Sequence, residues 1–131
     1  MKNEQNYVTL QVADGSTMAA YTSLPEKSTG KLPAIIVVQE AFGVNHHMRK
    51  VTDQFAAEGF VAICPEIFHR TAPVGFEGSY SDFASVMPHY QAVTIENLEL
   101  DLKATYEWLA KQDNVDPDRV FSVGYCLGGK V

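Results

Sequence analysis

The apolar run at residues 34–38 constrains the fold more than any other part of the chain. Its five residues, Ala-Ile-Ile-Val-Val, follow Pro33 and include no polar side chain. A strand without a polar side has to be covered on both faces, as strands inside a parallel sheet are. Apolar runs at residues 60–64, stopped by Pro65, and at residues 119–123 predict two more buried strands. The sequence therefore predicts a sheet with several parallel strands.

Helical patterns separate these strands. Asn45 is the predicted N-cap of a first helix, and Gly59 marks its predicted end. The apolar side chains on its buried face are Met48, Val51 and Phe55. Strands that alternate with helices in this way indicate the α/β class, here a mostly parallel sheet with flanking helices.

The other segments complete this plan. Residues 7–12 and 17–22 flank an Ala-Asp-Gly-Ser turn and predict a hairpin. Residues 71–87 are rich in Gly, Ser and Pro, so we expect an irregular segment that could form a lid. A second helix is predicted over residues 94–111 because apolar side chains recur there every three or four residues: Ile95, Leu98, Leu102, Tyr106 and Leu109. The aromatic residues expected on core faces are Phe55, Phe60, Tyr106, Trp108 and Phe121.

Length and charge restrict the function classes. The 131 residues have room for one domain, residues 1–131, and the composition, 46% hydrophobic and 20% charged, is that of a globular protein. Ten basic against sixteen acidic residues, a net charge of -6, argue against nucleic-acid and membrane partners. Neither a signal peptide nor a 20-residue apolar span is apparent, so we expect a cytoplasmic protein with reduced cysteines. No spacing of Cys and His favours a metal site.

The most informative motif is Gly-Tyr-Cys-Leu-Gly-Gly at residues 124–129, directly after a predicted strand. It matches the nucleophile elbow of Gly-x-Ser-x-Gly type, with Cys126 in place of serine. The turn is so sharp that only glycine fits two residues before and after the nucleophile. Cys126 would then stand at a helix N-terminus that favours its thiolate, and the Leu127 amide would face a developing oxyanion. Two alternatives are a glycine-rich turn around a buried cysteine and a phosphate-binding loop, although the Walker spacing is absent.

A second motif, Gln-Glu-Ala-Phe-Gly at residues 39–43, follows the most hydrophobic strand. Glu40 is a carboxylate at the carboxyl end of a central strand, where open α/β sheets build their sites. The loop after this strand supplies the second oxyanion amide in α/β-hydrolases, and Ala41 is the candidate here. On its own, Glu40 would be interpreted as an exposed loop residue; together with Cys126 it predicts a catalytic pair.

These motifs, with Cys-Pro-Glu-Ile-Phe at residues 64–68 between them, resemble the dienelactone hydrolase (carboxymethylenebutenolidase) family from about residue 33 to residue 131. The resemblance implies an α/β-hydrolase fold and the hydrolysis of lactones or esters without a cofactor. It implies Cys126 as the nucleophile and Glu40 as the carboxylate that controls the protonation of the thiol. Leu127 and Ala41 would supply the oxyanion amides, and a thioester on Cys126 would be hydrolysed by water.

The family completes its triad with an Asp and a His downstream of the nucleophile. This chain ends five residues after Cys126, so we expect it to be the N-terminal part of an α/β-hydrolase domain, truncated after the elbow and inactive alone. An unfinished sheet would expose an edge and invite self-association. Of the histidines present, His69 has the best location, since it follows a predicted strand.

The substrate is less defined than the reaction. Family enzymes bind a substrate carboxylate through arginines, and Arg70 is the candidate here, with Phe42 and Tyr125 as further substrate contacts. The irregular segment is acidic and aromatic, which favours a less charged small-molecule ester or lactone. The alternative functions are a thioesterase or peptidase of the same fold and a non-catalytic module, either a redox-sensing thiol or an interaction domain.

Overall fold

A computed structural model of the chain describes residues 4–26, 30–39 and 41–124. Strands and helices alternate along most of this part of the chain. In chain order the elements are β1 (Glu4–Gln11), β2 (Thr17–Leu24), β3 (Leu32–Val38), α1 (His46–Ala57), β4 (Val61–Pro65), α2 (Phe83–Ala92), α3 (Ile95–Ala110) and β5 (Val115–Gly124).

The strands form one five-stranded sheet in the order β1-β2-β4-β3-β5. The three apolar runs predicted as buried strands, β3, β4 and β5, run parallel to one another. The predicted hairpin, β1 and β2, joins this group antiparallel through β2 and β4 and makes the sheet mixed. The α/β prediction is confirmed, and β3 lies between the other two parallel strands.

Helices cover the sheet on both faces. Alternate side chains of β3 point to opposite faces, as the pleat of a strand requires. One apolar cluster, under α1, contains Tyr21, Ile35, Val37, Val44, Met48, Ala56, Ala62 and Cys64. The larger cluster, on the side of α3, includes Met18, Ile36, Val38, Ile63, Val86, Leu98 and Leu109. This double coverage explains why β3 carries no polar side.

Both ends of α1 were predicted correctly. Asn45 is the N-cap, and its Oδ1 accepts a hydrogen bond from the N–H of Met48 at 3.0 Å. Gly59 follows the helix with φ +104°, a conformation that favours glycine. The buried face is rotated from the predicted one. Thr52 is completely buried on it, and its hydroxyl donates to the Met48 carbonyl at 2.7 Å.

The position of α3 was predicted well, and its predicted buried face is confirmed at Leu98 and Leu109 but not at every residue. Ile95 is 66% exposed and Tyr106 is 41% exposed, although both were expected in the core. The buried side chains of the helix are Leu98, Asp101, Ala104, Thr105 and Leu109. Apolar spacing could not show that two polar residues would be buried, because their hydrogen-bond partners decide it.

The segment predicted as irregular contains a helix, α2. Asp82 is its N-cap and accepts a hydrogen bond from the Ser85 N–H at 3.3 Å. Val86 is fully buried and anchors the helix to the larger cluster. Pro88 lies inside the helix, and because proline disfavours a helix interior the sequence did not suggest one. Tertiary packing of Val86 outweighs that preference.

The last strand, β5, starts four residues earlier than predicted and includes the Asp-Pro-Asp segment at residues 116–118. Its pairing with β3 is irregular between Leu32 and Ala34, where the chain accommodates that segment. Within the described part of the chain β5 is an edge strand paired only with β3. Phe121 was expected in the core and is instead 53% exposed on this edge strand.

Among the described residues, no helix combines the length and the apolar character that crossing a bilayer requires.

Candidate active site at the carboxyl ends of the parallel strands

The carboxyl ends of the three parallel strands meet at one edge of the sheet. β3 is in register with β4 through Ile36 and Ile63, and with β5 through Val38 and Gly124. In open α/β sheets the loops that leave this edge build the ligand site. The candidate site is therefore formed by the segments that follow Val38, Pro65 and Gly124.

Four of the predicted site residues lie outside the described residues: Glu40, Tyr125, Cys126 and Leu127. Their roles stay predictions. The strands that lead to them are described up to Gln39 and Gly124, which gives the point at which each of the two predicted loops begins.

Gln39 is the first residue after β3, and its side chain is completely buried. Its Oε1 accepts a hydrogen bond from the backbone N–H of Ile67 at 2.8 Å. Because Ile67 follows β4, one buried amide joins the loops that leave two neighbouring strands. Sequence reasoning did not identify this residue, since its partner is 28 positions away.

Glu66 directly follows β4 and is 6% exposed. Both of its carboxylate oxygens accept from the N–H of Gly75, at 3.0 and 3.3 Å. Burial raises the pKa of the carboxyl, and the hydrogen bond from Gly75 opposes this only in part. Glu66 thus fixes the far end of the loop after β4. Its signal in the sequence was its place in the Cys-Pro-Glu motif, which by itself indicated no role.

The loop after β3 is held in a tight conformation by Gly43. This glycine has φ +88°, and a Cβ atom there would lie 2.5 Å from the backbone oxygen of Phe76. Gly43 forms a β-bridge with Glu77, and the N–H of Gly78 donates to the Phe42 carbonyl at 2.9 Å. Ala41, the predicted oxyanion residue, is half-buried and packs against the larger cluster.

Residues 76–82, named here the cover segment, lie against this loop. The Arg49 guanidinium contacts Glu77 at 3.1 Å and donates to the Val44 carbonyl at 2.9 Å. The Asn45 amide, besides capping α1, donates to the Tyr80 hydroxyl at 2.9 Å. One ion pair and one amide thus connect α1 to the cover segment.

Three aromatic rings gather where the cover segment meets the loop after β3. The ring centroid of Phe42 is 4.6 Å from that of Tyr80 and 6.0 Å from that of Phe83, both edge-on. Phe42 is half-buried, whereas Tyr80 is 63% and Phe83 49% exposed. Phe42 was a predicted substrate contact. Tyr80 and Phe83 belong to the segment described as acidic and aromatic, but nothing in the sequence brings them to Phe42.

Arg70, the predicted contact for a substrate carboxylate, is engaged by two carboxylates of the chain. Its Nη1 and Nη2 donate to the two oxygens of Asp101 at 3.0 and 2.9 Å, and its Nε donates to Asp14 at 2.9 Å. Asp101 is 1% exposed, and burial raises its pKa against the effect of the arginine. Hydrogen bonds from Ser16 and then from Arg70 lower the pKa of Asp14. Arg70 thus connects the β1–β2 turn to α3.

His69 belongs to the same group of side chains. Its Nε2 lies 2.9 Å from the Ser16 hydroxyl, and its Nδ1 lies 3.2 Å from the backbone oxygen of Glu66. Asp101 is 3.9 Å away, yet burial dominates and lowers the pKa of the imidazole. Among the residues that the structure describes, no group of three His, Cys, Asp or Glu side chains has the arrangement of a metal site.

Cys64 contrasts with the role proposed for the other cysteine. It is a free thiol in β4, completely buried in the cluster under α1. Burial raises its pKa to about 12, so it is protonated at neutral pH. Cys64 thus packs as a small buried hydrophobic side chain.

A family model, curated sequences and a solved structure all relate this chain to the same group of proteins. A model of the "Dienelactone hydrolase family" matches residues 18–131. The "Putative carboxymethylenebutenolidase" of Synechocystis sp. is 40% identical over 86% of this chain and 46% of its own length. The "Carboxymethylenebutenolidase" of a Pseudomonas species is 34% identical over 93% of this chain and 51% of its own. The crystal structure of a "Putative Dienelactone Hydrolase" from Klebsiella pneumoniae superposes with a TM-score of 0.84 at 28% identity, covering 98% of this chain and 52% of that one.

The chain thus spans about half the length of the curated relatives it matches. The family match includes β3, β4 and β5 in full and all of β2 but its first residue, and it continues through the Gly-x-Cys-x-Gly-Gly motif. The chain belongs to the dienelactone hydrolase family and has its α/β-hydrolase fold.

Proposed function

We propose that the protein of which these residues are part hydrolyses a lactone or carboxylic ester through Cys126. The observation that carries the proposal is the register of β3 and β5. Val38 and Gly124 are opposite each other, and Glu40 and Cys126 each follow two residues later. The segments that lead to the predicted carboxylate and to the predicted nucleophile therefore start from paired residues of neighbouring strands. Family membership supports the same reaction.

In the proposed reaction the Cys126 thiolate attacks the ester carbonyl, and the amides of Leu127 and Ala41 stabilise the tetrahedral oxyanion. The carbon–oxygen bond then breaks, the alcohol or enol leaves, and water hydrolyses the thioester. An ordinary thiol with pKa of about 8.5 is only a few per cent ionised at neutral pH, so the site has to control its proton. Glu40 is proposed for that role.

The described residues supply the support of this site. Gln39 fixes the chain immediately before Glu40, and Gly43 fixes it three residues after. The loop that is proposed to carry Glu40 is thus anchored on both sides of that residue. Positioning of this kind is what covalent catalysis demands of a scaffold. Residues 1–131 are proposed to form the nucleophile-bearing part of one α/β-hydrolase domain.

Covalent trapping tests the proposal. The complete gene product is mixed with 4-nitrophenyl acetate, quenched in acid and digested. We expect an acetyl group on the peptide that contains Cys126, and we expect Cys126→Ala to lose both the adduct and turnover. Cys64→Ala is the matched control and keeps both, since the Cys64 side chain is completely buried in the cluster under α1.

Two results would count against the hydrolase. Undiminished turnover by Cys126→Ala would exclude the nucleophile. A Cys126 thiol that is alkylated rapidly at pH 6, without acyl transfer from any ester, would favour the redox-sensing alternative. Glu40→Gln should move the pH dependence of Cys126 alkylation, and an unchanged profile would remove Glu40 from its proposed role.

A further inference from the structure

We propose that Phe42, Tyr80 and Phe83 form a subsite for the aromatic or bulky apolar group of an uncharged ester, so that the enzyme prefers neutral esters to those that carry a carboxylate. The inference rests on the proposed function, because it assigns the substrate class of the same site. Two observations support it: the position of the three rings and the charges of the residues around them.

The three rings lie together at the loop after β3, which is proposed to carry Glu40. Phe42 follows the predicted oxyanion residue Ala41 and is two residues from Glu40. Tyr80 and Phe83 pack edge-on against it and leave 63% and 49% of their surface exposed. An exposed aromatic group of this kind beside a reaction centre is typical of a surface that binds an apolar ligand.

Hydrogen bonds within the chain hold Tyr80 and Phe42 in place. The Tyr80 hydroxyl accepts from the Asn45 amide at 2.9 Å, and that amide belongs to the rigid N-cap of α1. The Phe42 backbone is fixed by the N–H of Gly78 at 2.9 Å. A surface that is already ordered binds its ligand at a lower entropic cost. This favours a binding role for the rings over incidental exposure.

The charges around the rings disfavour an anionic substrate. The sequence has three arginines, and each is engaged: Arg49 by Glu77, Arg70 by Asp14 and Asp101, and Arg119 by Asp116. A guanidinium that is already paired with a carboxylate of its own chain binds a substrate carboxylate only weakly. Asp82, directly before Phe83, is an exposed carboxylate that caps α2 and would repel an anion. Specificity by repulsion of the wrong charge is common in binding sites.

Three 4-nitrophenyl esters with the same leaving group test this preference on the complete gene product. Their acyl groups are 3-phenylpropanoyl, 3-(4-carboxyphenyl)propanoyl and acetyl. We expect kcat/KM for the neutral phenyl ester to exceed that for its carboxylated counterpart by about tenfold or more. In Phe83→Ala the ratio of phenylpropanoate to acetate should fall by about tenfold, since one ring wall is lost. Ile95→Ala, an exposed apolar side chain on α3, is the matched control and should leave the ratio unchanged.

A charge inversion sharpens the test. Phe83→Lys should move the preference toward the carboxylated ester. A wild-type preference for that ester, or an unchanged ratio in both Phe83→Ala and Tyr80→Ala, would overturn the subsite while leaving the hydrolase intact.

If none of the three esters is turned over by the folded protein, the proposed function fails instead. The subsite is then decided by calorimetric titration with 3-phenylpropanamide, a neutral probe that has no ester bond. Weaker binding to Phe83→Ala than to Ile95→Ala would support the subsite. Equal binding to the two variants would exclude it.

Discussion

Val38 and Gly124 lie opposite each other on β3 and β5, and each is the last residue of its strand. Parallel strands that stop at the same level send their following residues out side by side. This register supports the proposal that the loops with the carboxylate and the nucleophile start next to each other. The cover segment packs against the loop after β3, because Glu77 and Gly78 contact the backbone of that loop.

The two cysteines should differ sharply in reactivity. We expect iodoacetamide at pH 7.5 to alkylate Cys126 in the native protein and to leave Cys64 unmodified, because Cys64 is buried and its pKa is about 12. Peptide mapping by mass spectrometry after short exposure measures both sites. In guanidinium chloride, which unfolds the protein, the two thiols should be alkylated at similar rates. Rapid native labelling of Cys64 would show that β4 is accessible, contrary to the structure.

Gly43→Ala should destabilise the protein by about 2–3 kcal/mol. The added Cβ would meet both a left-handed backbone conformation and the Phe76 carbonyl oxygen at 2.5 Å. Gly15→Ala is the control. It shares the conformation, with φ +91°, but has open space around it, so its cost should be about 1 kcal/mol. Urea unfolding measures both. Equal costs would mean that the cover segment is not packed on this loop.

Glu66→Gln should change how stability depends on pH. Burial raises the pKa of Glu66 above its ordinary value of 4.5, so the folded state holds this proton more strongly than the unfolded state. Wild-type stability contributed by the protonated carboxyl is present below pH 4.5 and is lost as the pH rises through the folded pKa. The stability of the variant relative to wild type should therefore increase from pH 4.5 to pH 7.5. Parallel urea titrations at several pH values measure the difference, and a constant difference would contradict it.

Arg70→Met should lower stability by about 2 kcal/mol, because it leaves the buried carboxylate of Asp101 without its partner. This loss of stability is small for a buried ion pair, because the Arg70 side chain is 21% exposed and solvent weakens the pair. The double variant Arg70→Met/Asp101→Asn should recover most of the loss, because the charge is removed with its partner. Thermal unfolding of the two variants checks this.

The same Arg70→Met variant separates a structural role from substrate binding. If Arg70 only ties the β1–β2 turn to α3, the KM for a carboxylated ester should stay within about twofold of wild type. A KM that rises for the carboxylated ester alone would restore Arg70 as a substrate contact.

Features set by neighbouring residues were predictable from the sequence. Asn45 and Gly59 mark the ends of α1 because capping and the left-handed turn depend on local chemistry. The apolar run of β3 identified a strand covered on both faces. Both features follow from a few consecutive residues, and neither requires a distant partner.

Features set by distant partners were not predictable. Asp101 is buried because Arg70, 31 positions away, binds it with two hydrogen bonds. Apolar spacing therefore missed the buried polar positions of α3, although it identified Leu98 and Leu109. Helix α2 was missed for a similar reason, since Val86 is held by the core against the local preference of Pro88. At the site, family motifs indicated Glu40 and Cys126, whereas the meeting of Tyr80 and Phe83 with Phe42 depends on the folded cover segment.

The buried amide of Gln39 has a consequence for recombination between related enzymes. It serves the loop after β3 and, through Ile67, the loop after β4. A chimera that imports either loop alone from a relative with a different side chain at one of these positions would leave an unpaired polar group in the interior. The two loops should thus be exchanged as one cassette, and natural variation in their lengths should be coupled for the same reason.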